Sequence, residues 1–195
     1  MKTRDQYTLG QPPQLGFSFE EAPPISIQNP LPSDPIAHYR ELINQYNAAH
    51  LACNQEKVKE IDDKAHQLAI AMNGGSLCGI LGEPDAPGYL LQRGTQAEPD
   101  TVPLWGQSGN FIVDVDGMAV RVKLEGIFSI GGSLGFTADI VHKDKPFLSE
   151  TGYRCFFGGY YELAPNMTPD VFVVEVMRAY IQTLKPKPRK KRVKT

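Results

Sequence analysis

Apolar side chains in the middle of the chain fall on every second residue: Phe111, Val113 and Val115, then Met118, Val120, Val122 and Leu124. Between these runs lies Asp116-Gly117, a dipeptide suited to a two-residue hairpin turn whose central positions need positive φ. The turn places Val115 opposite Met118, Val113 opposite Val120 and Phe111 opposite Val122. One face is then apolar, and the other carries Asp114, Ala119, Arg121 and Lys123. A third strand is expected around Phe136 to Val141 and a fourth near Arg154–Phe157.

Upstream the period changes from two to about 3.6. Asp34-Pro35 reads as an N-cap followed by a first-turn proline. Tyr39, Leu42, Ile43, Tyr46, His50 and Cys53 then form a helical stripe, and Asn54 breaks it. Val58, Ile61, Ala65, Leu68 and Met72 predict a second helix, which Asn73-Gly74-Gly75 ends. Joined by a few residues, the two should form a helical hairpin. Residues 75–110 are turn-rich, and Trp105, the single tryptophan, reads as a packing anchor. Thr168-Pro169-Asp170 opens a last helix with the stripe Val173, Val176, Met177, Tyr180 and Leu184. The expected fold is α+β: an N-terminal helical hairpin, an antiparallel β-sheet centred on the 111–124 hairpin, and a C-terminal helix.

Composition divides the chain into three. Residues 1–35 hold seven prolines (Pro12, Pro13, Pro23, Pro24, Pro30, Pro32, Pro35) and read as an extended arm. Phe17, Phe19, Ile25 and Ile27 alternate within it, so a draped edge strand and a free tail both stay open. Residues 36–184 form the expected α+β domain. Residues 185–195 are a basic, unfolded tail in which Lys185, Lys187, Arg189, Lys190, Lys191, Arg192 and Lys194 meet no acid. The net charge of −2 from 20 basic and 22 acidic residues therefore hides an acidic body. Without those seven cations, residues 1–184 hold 13 basic against 22 acidic side chains, a formal −9.

No apolar run approaches the roughly 20 residues needed to cross a bilayer, and the N-terminal stretch lacks the apolar core of a secretory signal. Three widely spaced cysteines (Cys53, Cys78, Cys155) with no CxxC pair suggest free thiols in a reducing cytoplasm. Catalytic motifs are thin. GGSLGF within the glycine-rich run 126–135 lacks the lysine of a phosphate loop. His142 with Asp139, Asp144 and Ser149 lacks a nucleophile elbow. His38, His50 and His66 have no i,i+4 partner and HExxH is absent, so neither a metal nor a cofactor is expected. The densest polar cluster is Ser149, Glu150, Thr151, Tyr153 and Arg154, flanked by Phe147-Leu148 and Phe156-Phe157. It reads first as a satisfied turn in which Glu150 pairs with Arg154, and it is the best candidate for a binding site should one exist.

The segments AHQLAIAMNGG (65–75), PLWGQSGNFIVDVDGM (103–118) and DKPFLSETGYRCFFG (144–158) resemble an uncharacterised family of small proteins found on plasmids and integrative elements of proteobacteria. The resemblance spans roughly residues 36–182 and brings no catalytic residue and no cofactor. It implies a setting among the accessory genes of mobile DNA. The functional expectation is a non-enzymatic, cytoplasmic interaction protein acting on a host defence or DNA-processing complex, an anti-restriction or anti-CRISPR inhibitor for example. The alternative is a small hydrolase or transferase using residues 139–154. The protein partner and the oligomeric state stay open, no membrane is involved, and the tail suits weak, non-specific contact with nucleic acid.

Overall fold

The computed structural model describes residues 31–129, 134–142, 149–157 and 163–184. The arm up to residue 30, the tail from residue 185, and the middle of the glycine-rich run lie outside the described residues. Helix α1 covers Pro35–Leu51, α2 Gln55–Met72, α3 Pro87–Gly94 and α4 Pro169–Leu184. Strands β1 (Gly109–Val115), β2 (Met118–Leu124), β3 (Phe136–Ile140) and β4 (Tyr153–Phe156) form one antiparallel sheet in the order β1-β2-β3-β4. The α+β architecture is as the periodicity predicts.

The caps explain the helix starts. Asp34 Oδ1 accepts the Ala37 N–H at 2.9 Å, with Pro35 in the first turn, and Asn54 Oδ1 accepts the Lys57 N–H at 3.0 Å. Between them Cys53 takes a positive φ of 52° and reverses the chain. Helix α3, which the glycine and proline density concealed, begins at one of those prolines. It is held close to its neighbours by Gly88, where a Cβ would lie 2.9 Å from the Ile80 carbonyl oxygen.

The hairpin has the expected register, with Val115 opposite Met118, Val113 opposite Val120 and Phe111 opposite Val122. Asp116 (φ 54°) and Gly117 (φ 84°) make the turn, and Asp114 Oδ1 accepts the Gly117 N–H at 2.9 Å. Arg178 of α4 donates through Nε to Asp116 Oδ1 at 3.0 Å, tying the helix to the tip.

The inner side chains of the sheet and the apolar stripes of α1, α2 and α4 share one core. Trp105 is fully buried in it. Its indole N–H donates to the Met167 carbonyl at 2.9 Å, and its backbone N–H donates to Asn47 Oδ1 at 3.1 Å. Burying an indole removes about 200 Å² from water, worth up to about 5 kcal/mol, so this residue anchors the junction of α1, α4 and the sheet. The aromatic chain continues through Phe172 to Phe136, and Tyr39 packs on Phe128. The last-helix stripe differs from expectation at its end: Leu184 is exposed, while Phe172 is buried in the core.

Candidate functional site

Period-two alternation divides the sheet into two sides with different fates. The helix side is filled. The opposite side has no helix over it among the described residues and carries Asn110, Ile112 and Asp114 of β1, Arg121 and Lys123 of β2, Thr137 and Asp139 of β3, and Tyr153 and Cys155 of β4. Its apolar members are conspicuous: Ile112 is 45% exposed and Tyr153 49%, and Val141 and Phe157, just beyond their strands, are 40% and 72% exposed. Single exposed apolar residues are ordinary; Ile112 and Tyr153 stand on the two edge strands of this side, and Val141 and Phe157 follow β3 and β4.

The Ser149–Arg154 cluster sits where the chain enters β4, and the sheet pleat splits it. Ser149 Oγ donates to the Tyr153 carbonyl at 2.8 Å and lies 3.2 Å from Thr151 Oγ1, while Gly152 N–H donates to the Ser149 carbonyl at 3.1 Å. Gly152 is required here twice over: its φ is +76°, and a Cβ would lie 2.4 Å from Ile140 Cγ1. Tyr153 points to the open side, its hydroxyl 3.2 Å from Cys155 Sγ. That contact raises the Tyr153 pKa above the ordinary phenol value.

Arg154 points the other way. It is opposite Ala138 on the helix side, with its guanidinium 3.8 Å from the centre of the Tyr180 ring and 5.8 Å from that of Phe156. The expected Glu150–Arg154 ion pair does not form: Glu150 lies in an exposed turn, and Arg154 satisfies itself on the aromatic face of α4. His142 is exposed past the end of β3, and Asp144 lies outside the described residues. The seven cations of the tail also lie outside them. The three cysteines are free, and Cys53 donates its S–H to the Leu163 carbonyl at 3.1 Å.

Besides a groove of about 430 Å³ lined by Gln96, Asp100, Asn110 and Arg121, two more border the open side. One, of about 370 Å³, lies between α3 and the start of β1, with Arg93, Lys123 and Tyr89 among its lining residues. The other, of about 360 Å³, runs between the outer edge of β1 and α4. No His, Cys, Asp and Glu grouping able to hold a metal ion occurs among the described residues. Nor, among them, is any helix long and apolar enough to cross a membrane.

One buried titratable group was legible only as a stripe residue. His50 is 4% exposed, and neither ring nitrogen has a hydrogen-bond partner among the described residues. It is sandwiched between Tyr46 (ring centres 4.6 Å apart) and Trp105 (5.3 Å). Burial lowers its pKa to about 4, so it is neutral near pH 7.

Residues 108–190 match the family model of the KlcB third domain. The match starts at β1 and takes in all four strands and α4. Among curated proteins, the chain is 38% identical to an Escherichia coli KlcB over 112 residues, which are 57% of this chain and 24% of that protein. It is 30% identical to another Escherichia coli KlcB over 152 residues, 75% of this chain and 37% of that protein. The second alignment is longer than the family match, so the similarity extends beyond the sheet and α4. The chain spans less than two fifths of the length of these KlcB proteins, 24% of one and 37% of the other. No solved structure matches the chain.

Proposed function

We propose that this chain is a plasmid-encoded accessory protein that acts by binding a macromolecular partner through the open side of its sheet. The observation that carries the proposal is the composition of that side: Ile112, Val141, Tyr153 and Phe157 stand exposed among Asp114, Arg121 and Lys123, on an antiparallel sheet whose other face is packed. The similarity to KlcB supports the plasmid setting and the accessory role.

The target we favour is a host defence or DNA-processing complex in the cytoplasm, with inhibition of restriction or of a CRISPR effector as the specific form. An acidic body suits it, since such complexes present basic nucleic-acid channels. On this reading Tyr153 and the Ser149-Glu150-Thr151 turn extend the contact surface at the β4 edge, and Arg154 fixes the strand that presents it. The proline-rich arm (1–35) and the basic tail (185–195) flank the binding body, and the tail adds weak contact with nucleic acid.

The test is capture from the native host with the full chain as bait, compared with a Tyr153→Ser/Phe157→Ser variant whose side chains lie outside the core. The expected result is a partner retained by the wild type and lost from the variant at unchanged melting temperature. Identical captures from both would remove the open side as the binding surface.

A further inference from the structure

We propose that the free half of the β1 edge, together with the groove between it and α4, docks an extended segment of a partner protein in which apolar and basic residues alternate. The inference rests on the binding reading above and names the partner's chemistry. It follows from which backbone groups of β1 are spent. A two-residue turn joins β1 to β2, so Val115 and Met118 exchange both of their backbone hydrogen bonds and the odd-numbered residues of β1 point their N–H and C=O groups at β2. The even-numbered residues point theirs outward. The Ser108 carbonyl, just before the strand, accepts the Ala97 N–H at 2.9 Å, and the Asn110 carbonyl accepts the Asp100 N–H at 3.0 Å. From there the flanking segment offers nothing more. Ile112 and Asp114 have no outward backbone partner among the described residues.

Alongside this unpaired edge lies the 360 Å³ groove. Its apolar lining comes from Val102, Ile112, Val113, Val171 and Val174, of which Val102, Ile112 and Val171 are 44–45% exposed. An open strand edge beside an aliphatic groove is the arrangement used in strand addition. There backbone hydrogen bonds fix the register of the incoming segment, and alternate side chains enter the groove.

The charge of the occupant follows from the rim. Asp114, Asp170 and Glu175 line the groove, and its one base, Arg178, is already committed to Asp116. The rim is therefore net negative, as is residues 1–184 as a whole. An incoming segment with acidic side chains is repelled, and one with lysine or arginine between its apolar residues is matched on both counts. The free edge is short, so the groove contributes to affinity alongside the backbone.

The test uses the full chain and a synthetic ten-residue peptide of alternating lysine and valine with one central phenylalanine. Two counterparts accompany it, one with glutamate in place of lysine and one with a methylated backbone on the pairing edge. Hydrogen exchange is read by NMR at the Ile112 and Asp114 amides. With the lysine peptide at about ten times its Kd, exchange at both should slow roughly tenfold, because only the free fraction exchanges. The glutamate and methylated peptides should leave it unchanged. Val171→Asp and Glu175→Lys, both at exposed helix positions, should each weaken binding at constant melting temperature.

No binding of the lysine peptide at millimolar concentration overturns the proposal. So does binding that leaves the two amides unprotected, or that survives both substitutions. Amides already protected in the free chain and released by removing residues 1–30 would make the arm the occupant. Protection that grows with protein concentration would make it a second copy. Either result overturns the partner assignment. A host partner still captured by Val171→Asp and Glu175→Lys removes the groove while leaving the binding reading intact, whereas failure of the wild type to capture any partner removes that reading itself.

Discussion

Protonating His50 should destabilise this protein, and the size of the effect follows from where the ring sits. In the unfolded chain the imidazole titrates near 6.5; in the fold, burial against Tyr46 and Trp105 lowers its pKa to about 4. Between these values the unfolded state binds a proton that the folded state refuses, so stability falls as pH falls. The contribution is fully present above pH 6.5, is lost progressively toward pH 4, and changes little below that. A gap of about 2.5 pK units corresponds to about 3 kcal/mol, a large share of the 5–15 kcal/mol typical of a domain. His66 works in the opposite sense. Its hydrogen bond to the Asp62 side chain raises its pKa above 6.5, so its contribution is present below that value and fades as pH rises through the folded pKa. Urea unfolding at half-unit steps from pH 4 to 8 measures the sum, and His50→Leu isolates the term. Leucine keeps an apolar side chain in the slot and has no proton to gain, so the variant should show a flattened profile between pH 6.5 and 4. An NMR titration should find the His50 ring unchanged down to about pH 5. If that ring titrates near 6.5 in the folded protein, or if wild type and variant lose stability in parallel, the reasoning fails.

Three further outcomes are expected. Gly152→Ala combines positive φ with a Cβ driven into Ile140 and should cost about 2–4 kcal/mol in chemical denaturation; an unchanged midpoint would show that the turn relaxes freely. Arg154→Ala removes the guanidinium from the Tyr180 face and should cost about 1 kcal/mol, with Arg154→Lys recovering part of it; loss of partner capture at constant stability would instead make Arg154 a binding residue. Deleting residues 185–195 should abolish weak nucleic-acid binding whose log K falls with log salt at a slope near −5 if about six phosphates are engaged, read by fluorescence titration at two salt concentrations; binding that survives the deletion would place the site on the body.

What could be read from the sequence was whatever rests on local rules. The hairpin obeys a strict alternation around a dipeptide that tolerates positive φ, and its register followed residue by residue. Helices α1, α2 and α4 announce themselves through caps and prolines. Helix α3 escaped because Pro87, read as punctuation, is its first residue, and eight residues are too few to show a period. The pairing of Glu150 with Arg154 failed for a related reason. Four residues apart suits a helix, but the chain passes from a turn into a strand between them, and the true partner, Tyr180, comes from another element. His50 reads as a buried stripe residue, yet nothing local tells that Trp105 closes over it. The β1–α4 groove is assembled from Val102, Ile112 and Val171, which no window of sequence holds together. One signal was available: Ile112 is apolar at a position where the alternation calls for a polar residue.

That out-of-phase isoleucine makes the functional reading separable from the structural one. Along β1 the odd positions Phe111, Val113 and Val115 are the floor of the core, and the even positions Ile112 and Asp114 face solvent on an edge without a backbone partner among the described residues. A substitution at an odd position opens a cavity or buries a charge and acts through folding. A substitution at an even position leaves the core untouched, so any effect on it must come through whatever meets the edge. The family match begins at this strand, while part of the core that supports it comes from α1 and α2 outside the match, through the contacts of Tyr39 and His66 with Phe128. The helical hairpin is therefore a wall of the core beneath the sheet, and a change within it reaches the sheet only through that shared core. Stability losses from the hairpin and binding losses from the even positions of β1 should then add as independent effects, because they share no contact.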